Sequence, residues 1–173
     1  NSELLFVGDA GTTEPSRPSK RTGLEWLAQW LPKPSIALDV TAAFTRARFT
    51  DADPAGDRVP GAPESVASAG VTVDGLNGWF GSLRWRYFGP RPLIEDNSVR
   101  SQSTSLVNAR VGYAMAKQIR AYVDVFNLFD RKASDIDYFY ASRLQGEPAA
   151  GVSDVHFHPV EPRALRATLA LTY

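Results

Sequence analysis

The residues of this 173-residue chain best suited to chemistry lie near its end, where His156-Phe157-His158 sets two imidazoles one residue apart. In an extended segment, residues two apart share a face, and imidazole is a common ligand of transition metals. The nearby carboxylates, Asp154 and Glu161, have the character of ordinary loop residues, and the absence of cysteine removes both thiolate metal sites and disulfides. The pair reads better as plain loop histidines, and no metal site is assigned to it. Upstream, Tyr138, Phe139 and Tyr140 stand with Arg143. Those rings and the guanidinium suit adhesion of a metal chelate better than the histidines do, although such rings also pack loops. Tyr138, Tyr140, Arg143, His156 and His158 are the ligand-binding candidates. Catalysis finds little support: no nucleophile elbow, zinc motif or phosphate loop stands out, so the chain does not read as an enzyme and no cofactor is expected.

The elements that carry these residues read as strands. The last eleven residues, Arg163 to Tyr173 (RALRATLALTY), put Leu165, Ala167, Leu169, Leu171 and Tyr173 on one face and smaller or polar residues on the other. A tilted strand of about 9 to 11 residues crosses a bilayer with apolar side chains toward lipid. A hydrophobic content of 43% is ordinary for a soluble protein, but a barrel wall hides from such averages because every second residue is polar or small. No apolar run approaches the roughly 18 residues a spanning helix needs, so a membrane reading means a barrel. Nineteen basic residues balance nineteen acidic ones, which removes the case for a nucleic-acid partner.

The alternation recurs through the chain. It keeps its parity across three short turns, near 31–35, 75–78 and 114–118. At the last of these, face matching sets Val111 opposite Ala121 and Arg110 opposite Tyr122. With a weaker strand at Glu3 to Val7, about eight strands result. Their other connections, roughly 9 to 20, 50 to 63, 89 to 104 and 130 to 161, are rich in Gly, Pro, Asp, Ser and Arg and read as long loops. Short turns alternating with long loops match the periplasmic and extracellular ends of an outer-membrane barrel. Trp26, Trp30, Trp79, Trp85, Tyr87, Tyr113 and Tyr173 fall on the apolar face, several near strand ends where aromatic girdles form. Glu25, Asp39, Asp74, Arg84, Arg86, Arg110, Arg120, Asp124 and Arg166 fall on the other, as a hydrated charge network or as contacts to a plug or substrate. A β-sandwich would need a second sheet over the apolar face, and the chain has few strands to spare.

Three stretches then resemble a known family. Asp124-Val-Phe-Asn-Leu-Phe-Asp130, followed by a long loop and a closing strand with a terminal aromatic, resembles the C-terminal barrel region of TonB-dependent outer-membrane receptors. Val59-Pro-Gly-Ala-Pro-Glu64 and Arg21-Thr-Gly-Leu-Glu25 resemble its strand entries. The resemblance implies an all-β, antiparallel up-and-down transmembrane barrel of about 22 strands. Residues 1–173 would be its C-terminal part, with the plug domain and earlier strands absent. It implies active uptake of a ferric siderophore or similar chelate, energised through TonB, in the outer membrane of a Gram-negative bacterium. It also implies recognition by the barrel-assembly machinery through Leu165, Leu169, Leu171 and Tyr173. A passive pore or export channel, or a soluble all-β binding module, would share part of the pattern. Asn1 is not an initiator Met and no targeting segment follows it, which fits the end of a longer precursor. Eight strands cut from a barrel leave two open edges.

Overall fold

The computed structural model describes residues 2–7 and 12–172; Tyr173 lies outside them. Ten antiparallel strands are present among the described residues. They are β1 (Ser2–Val7), β2 (Thr12–Lys33), β3 (Ile36–Phe49), β4 (Ser65–Leu76), β5 (Trp79–Phe88), β6 (Thr104–Ala116), β7 (Ile119–Phe126), β8 (Ser134–Ser142), β9 (Val152–Pro159) and β10 (Ala164–Leu171). Eight form one meandering sheet in the order β1-β2-β3-β4-β5-β6-β7-β10, and β8 and β9 form a hairpin of their own. Strands β1 and β10 are the two open edges of the larger sheet.

Three tight turns at one end join β2 to β3, β4 to β5 and β6 to β7. Each closes a two-residue loop, with Lys33 paired to Ile36, Leu76 to Trp79 and Ala116 to Ile119, and each carries a register shift just before it. At the middle turn Asn77 and Gly78 both adopt positive φ, 53° and 88°, the primed hairpin geometry that Asn-Gly favours because its twist matches that of the strands.

Outward parity holds from β2 to β10. Leu24, Trp26, Trp30, Phe44, Trp79, Leu83, Val111, Leu165 and Leu169 are all largely exposed on one side. A water-soluble sheet would bury such a face against a second layer. Here the buried apolar cluster is Ala47, Phe49, Val59 and Ala62, where the top of β3 meets the 50–64 loop, and not over the apolar face. Trp79 and Tyr113 meet edge to face at 5.2 Å beside the tight turns, while Trp85 and Tyr87 stack at 5.9 Å nearer the loop end.

Three expectations change. Arg110 pairs with Asp124 and Val111 with Val123, two residues from the expected Tyr122 and Ala121, because the two-residue turn and its register shift close the hairpin later than an open 114–118 loop would. Parity survives, since a shift of two keeps every side chain on its face. The expected long connection at 9–20 is mostly strand: residues 12–18 pair with β1 despite Pro15 and Pro18, which an edge tolerates. The 130–161 connection contains the β8–β9 hairpin, whose Gly- and Pro-rich tip spans only 143–151.

Candidate ligand face and lumenal wall

The hairpin gathers four of the five ligand-binding candidates. Ile136 pairs with His158, Tyr138 with His156 and Tyr140 with Asp154, so these six side chains share one face. Tyr140 stacks on His156 at 3.9 Å with the planes 15° apart, and Tyr138 meets His158 edge to face at 6.3 Å. His156 Nε2 is enclosed without a hydrogen-bond partner. Arg143 does not join them. It sits at the tip, where its Nε donates to the carbonyl of Glu147 and the Glu147 carboxylate accepts from the backbone of Leu144. Phe139 lies on the opposite face. Among the described residues no group of three His, Cys, Asp or Glu side chains is arranged to hold a metal.

The foot of the hairpin is built from residues whose role the sequence did not disclose. Asn127, in a left-handed conformation with φ 48°, is 4% exposed. Its amide nitrogen donates to the carbonyls of Arg131 and Glu161, both at 3.0 Å, and its Oδ1 accepts from the backbone of Arg131 at 2.9 Å. Its own backbone N–H donates to Asn108 Oδ1, and Asp130 accepts from the backbone of Arg163. One side chain thus ties the end of β7 to both legs of the connection. On the hairpin's other face, Asp137 forms an ion pair with Arg91 at 3.3 Å, the two side chains being 6% and 7% exposed. Arg91 also lies over the ring of Phe88, which locks the hairpin to the 89–103 loop. Between the hairpin foot and that loop is a cavity of about 660 Å³ lined by Arg131, Lys132 and Phe157, among others.

The inner face of the wall is a connected row of charges and rings. Arg84 on β5 grips Asp39 on β3 with two hydrogen bonds of 2.9 Å, spanning β4 at Gly70. A Cβ at Gly70 would come within 2.7 Å of Asp39 Oδ1 and 2.8 Å of Arg84 Nη2, so the missing side chain is the gap the pair crosses. Further along, Asp124 on β7 accepts from Arg110 on β6 at 2.6 Å and from Arg166 on β10 at 3.1 Å. Arg110 stands over the ring of Tyr122 and Arg166 over that of Phe126. Arg120 lies over Phe80 and reaches Asp74 at 3.1 Å. Opposite charges on neighbouring strands stabilise the wall and fix its register. Arg86 and Glu25, which line an open concavity of about 610 Å³ on this wall, carry no ion pair among the described residues.

A family model described as TonB dependent receptor-like, beta-barrel, matches residues 7–128. The chain belongs to that family. It is 29% identical over 147 residues to the pesticin receptor of Yersinia enterocolitica, an alignment covering 80% of this chain and 22% of that protein. It spans about a fifth of the length of the curated relatives it matches. Among solved structures, the ferric yersiniabactin uptake receptor FyuA from Yersinia pestis superposes with a TM-score of 0.67 at 23% identity, over 92% of this chain and 25% of that one. The ferric-catecholate import receptor Fiu from Escherichia coli K12 does so with a TM-score of 0.71 at 19% identity, over 98% and 23%. These superpositions show that the sheet is barrel wall of the TonB-dependent receptor type. Such barrels lie in the outer membrane of Gram-negative bacteria, and the sheet has the one apolar and one charged face that a barrel wall needs. The similar proteins are transport receptors and not enzymes. Leu165, Leu169 and Leu171 stand exposed on the outward, apolar side of β10.

Proposed function

We propose that residues 1–173 are the C-terminal wall and last extracellular hairpin of an outer-membrane receptor that takes up a ferric siderophore or similar metal chelate, energised through TonB. The plug domain and earlier strands would belong to other parts of the same protein. The observation that carries this reading is the hairpin face on which Tyr140 stacks on His156 and Tyr138 meets His158. Planar rings of that kind suit the aromatic or conjugated groups of a chelate. The names of the similar receptors, for ferric yersiniabactin and for ferric catecholates, support the same class of cargo. Leu165, Leu169, Leu171 and Tyr173 would serve as the signal read by the barrel-assembly machinery, alongside their contact with lipid.

The test is growth under iron limitation of a strain lacking the whole gene, across a panel of iron chelates. Growth should fail on one chelate and return with the wild-type gene. Binding of that chelate should weaken about tenfold in Tyr140→Ala/His156→Ala, the loss expected of one stacked pair. Removing the N-terminal energy-coupling segment of the full protein should abolish uptake; uptake that persists would make the protein a passive pore. Equal growth on every iron source would refute iron uptake.

A further inference from the structure

Above the apolar band, the outward face of β2 and β3 changes character abruptly. The even positions that carry Leu24 and Trp26 on β2 continue upward to Lys20, and those that carry Phe44 on β3 continue to Arg46 and Arg48. Lys20 pairs directly with Arg48, and Arg48 with Arg58 of the 50–64 loop. Three cations therefore sit side by side in one cross-strand row, with Arg46 one outward position below. Like charges placed directly opposite one another destabilise a sheet unless an anion lies between them.

Among the described residues, the carboxylates beside the row are fewer than its cations. Glu64 lies 2.8 Å from Arg58 and 3.7 Å from Arg48 but also binds Arg100, while Asp57 lies 3.5 Å from Arg48 and 3.8 Å from Arg58. Lys20 and Arg46 have no ion pair among the described residues, and both are exposed. Directly beneath Arg46 is the exposed side chain of Phe44, and below Lys20, past Thr22, that of Leu24. Lys20 and Arg46 stand where the exposed apolar side chains stop, at the end of the wall remote from the tight turns, which in a barrel with short periplasmic turns is the headgroup level of the outer leaflet. Long cationic side chains at that level lay their stems along apolar surface and hold their charge at the headgroups.

We propose that Lys20 and Arg46, backed by Arg48 and Arg58, form a site for the phosphate of an outer-leaflet lipid. The lipid phosphate supplies the anion that Lys20 and Arg46 lack, and its acyl chains lie along Leu24, Phe44 and Trp26. The site faces lipid and not lumen, so it is separate from the uptake path.

The test uses the purified full-length receptor and native mass spectrometry with diphosphorylated lipid A, the same lipid stripped of phosphate, and inorganic phosphate. The wild-type protein should retain the phosphorylated lipid in preference to the stripped one. Lys20→Gln/Arg46→Gln should weaken that retention about thirtyfold, from about one surface-cation contribution per side chain, each about 1 kcal/mol, at 1.4 kcal/mol per decade. Lys20→Arg/Arg46→Lys should preserve it. Arg46→Gln alone, at a side chain with no ion pair among the described residues, gives about a fivefold effect and serves if the double variant assembles poorly. Equal retention of the two lipids, or of the phosphorylated lipid by wild type and glutamine variants, would overturn the proposal. So would saturation by inorganic phosphate that lipid cannot displace, since that outcome assigns the row to a free anion.

Discussion

Replacing Asn127 with Ala should release the β8–β9 hairpin from the wall without unfolding the wall. The Asn127 side chain makes three hydrogen bonds, two to the carbonyls of Arg131 and Glu161 and one from the backbone N–H of Arg131. At about 1 kcal/mol each in net terms, they contribute about 3 kcal/mol. Alanine in the left-handed conformation that Asn127 adopts costs about 1 kcal/mol more. A local loss of about 4 kcal/mol corresponds to almost three decades in an opening equilibrium. Hydrogen exchange of the full-length receptor should therefore accelerate several hundredfold or more at amides of residues 128–163, with residues 36–45 unchanged. Asn127→Gly should recover about 1 kcal/mol of the loss, because glycine accepts the positive φ but not the hydrogen bonds. Unchanged exchange in the 128–163 segment, or acceleration spread evenly over the wall, would refute the assignment of Asn127 as the hairpin's tether.

Gly70→Ala should lower the melting temperature of the assembled receptor by breaking the Asp39–Arg84 grip, at about 1 kcal/mol, and should cost much less in an Asp39→Asn/Arg84→Gln background; equal costs in both would sever the link. At Glu64 burial raises the pKa, but the hydrogen bond from Arg100 and then the charges of Arg100, Arg58 and Arg48 outweigh it, and the carboxyl lies below its ordinary 4.5. Its contribution is thus complete above about pH 4.5 and is lost as pH falls through the lower folded value. Protease nicking of the 50–64 loop should rise over that acidic interval in wild type, and Glu64→Gln should show raised nicking at neutral pH with a flat acid profile. Tyr173→Ser should reduce the amount of assembled full-length receptor far more than Thr172→Ser, as read by heat-modifiable mobility in membranes; equal assembly would leave the terminal ring without a special part in the signal.

The wall was legible because its physics is local and repeated. Alternation fixed the faces of β2 to β7 and β10, and parity across tight turns carried the faces from strand to strand even where pairing shifted by two at Arg110. Residues 12–18 and the hairpin within 130–161 were harder to see. In the first, Pro15 and Pro18 mark loops in isolation yet sit in a strand beside β1. In the second, the run Ile136, Tyr138, Tyr140 does alternate, but the composition of its surroundings masks it. The candidate face was half legible: residue types pointed to Tyr138, Tyr140, His156 and His158, whereas their assembly on one face depends on a pairing that no local rule supplies. Arg91 and Asp137 were beyond reach, since neither forms a recognisable spacing and they meet only through the packing of two loops. Asn127 stood inside a recognised family stretch, yet its tethering role depends on three backbone groups that come together only in the fold.

Val59, Ala62, Pro92 and Leu93 are all buried, and two backbone hydrogen bonds join their loops: Arg58 N–H donates to the Glu95 carbonyl, and Gly61 N–H to that of Pro92. Glu64 and Arg100 complete the bond between them. Segments 50–64 and 89–103 are therefore one inheritable unit, and transplanting either alone into a related receptor would carry half an interior into a host that lacks its counterpart. A chimera meant to exchange either loop must move the two together, along with Arg17, whose guanidinium grips Asp51 and the Gly56 carbonyl from β2.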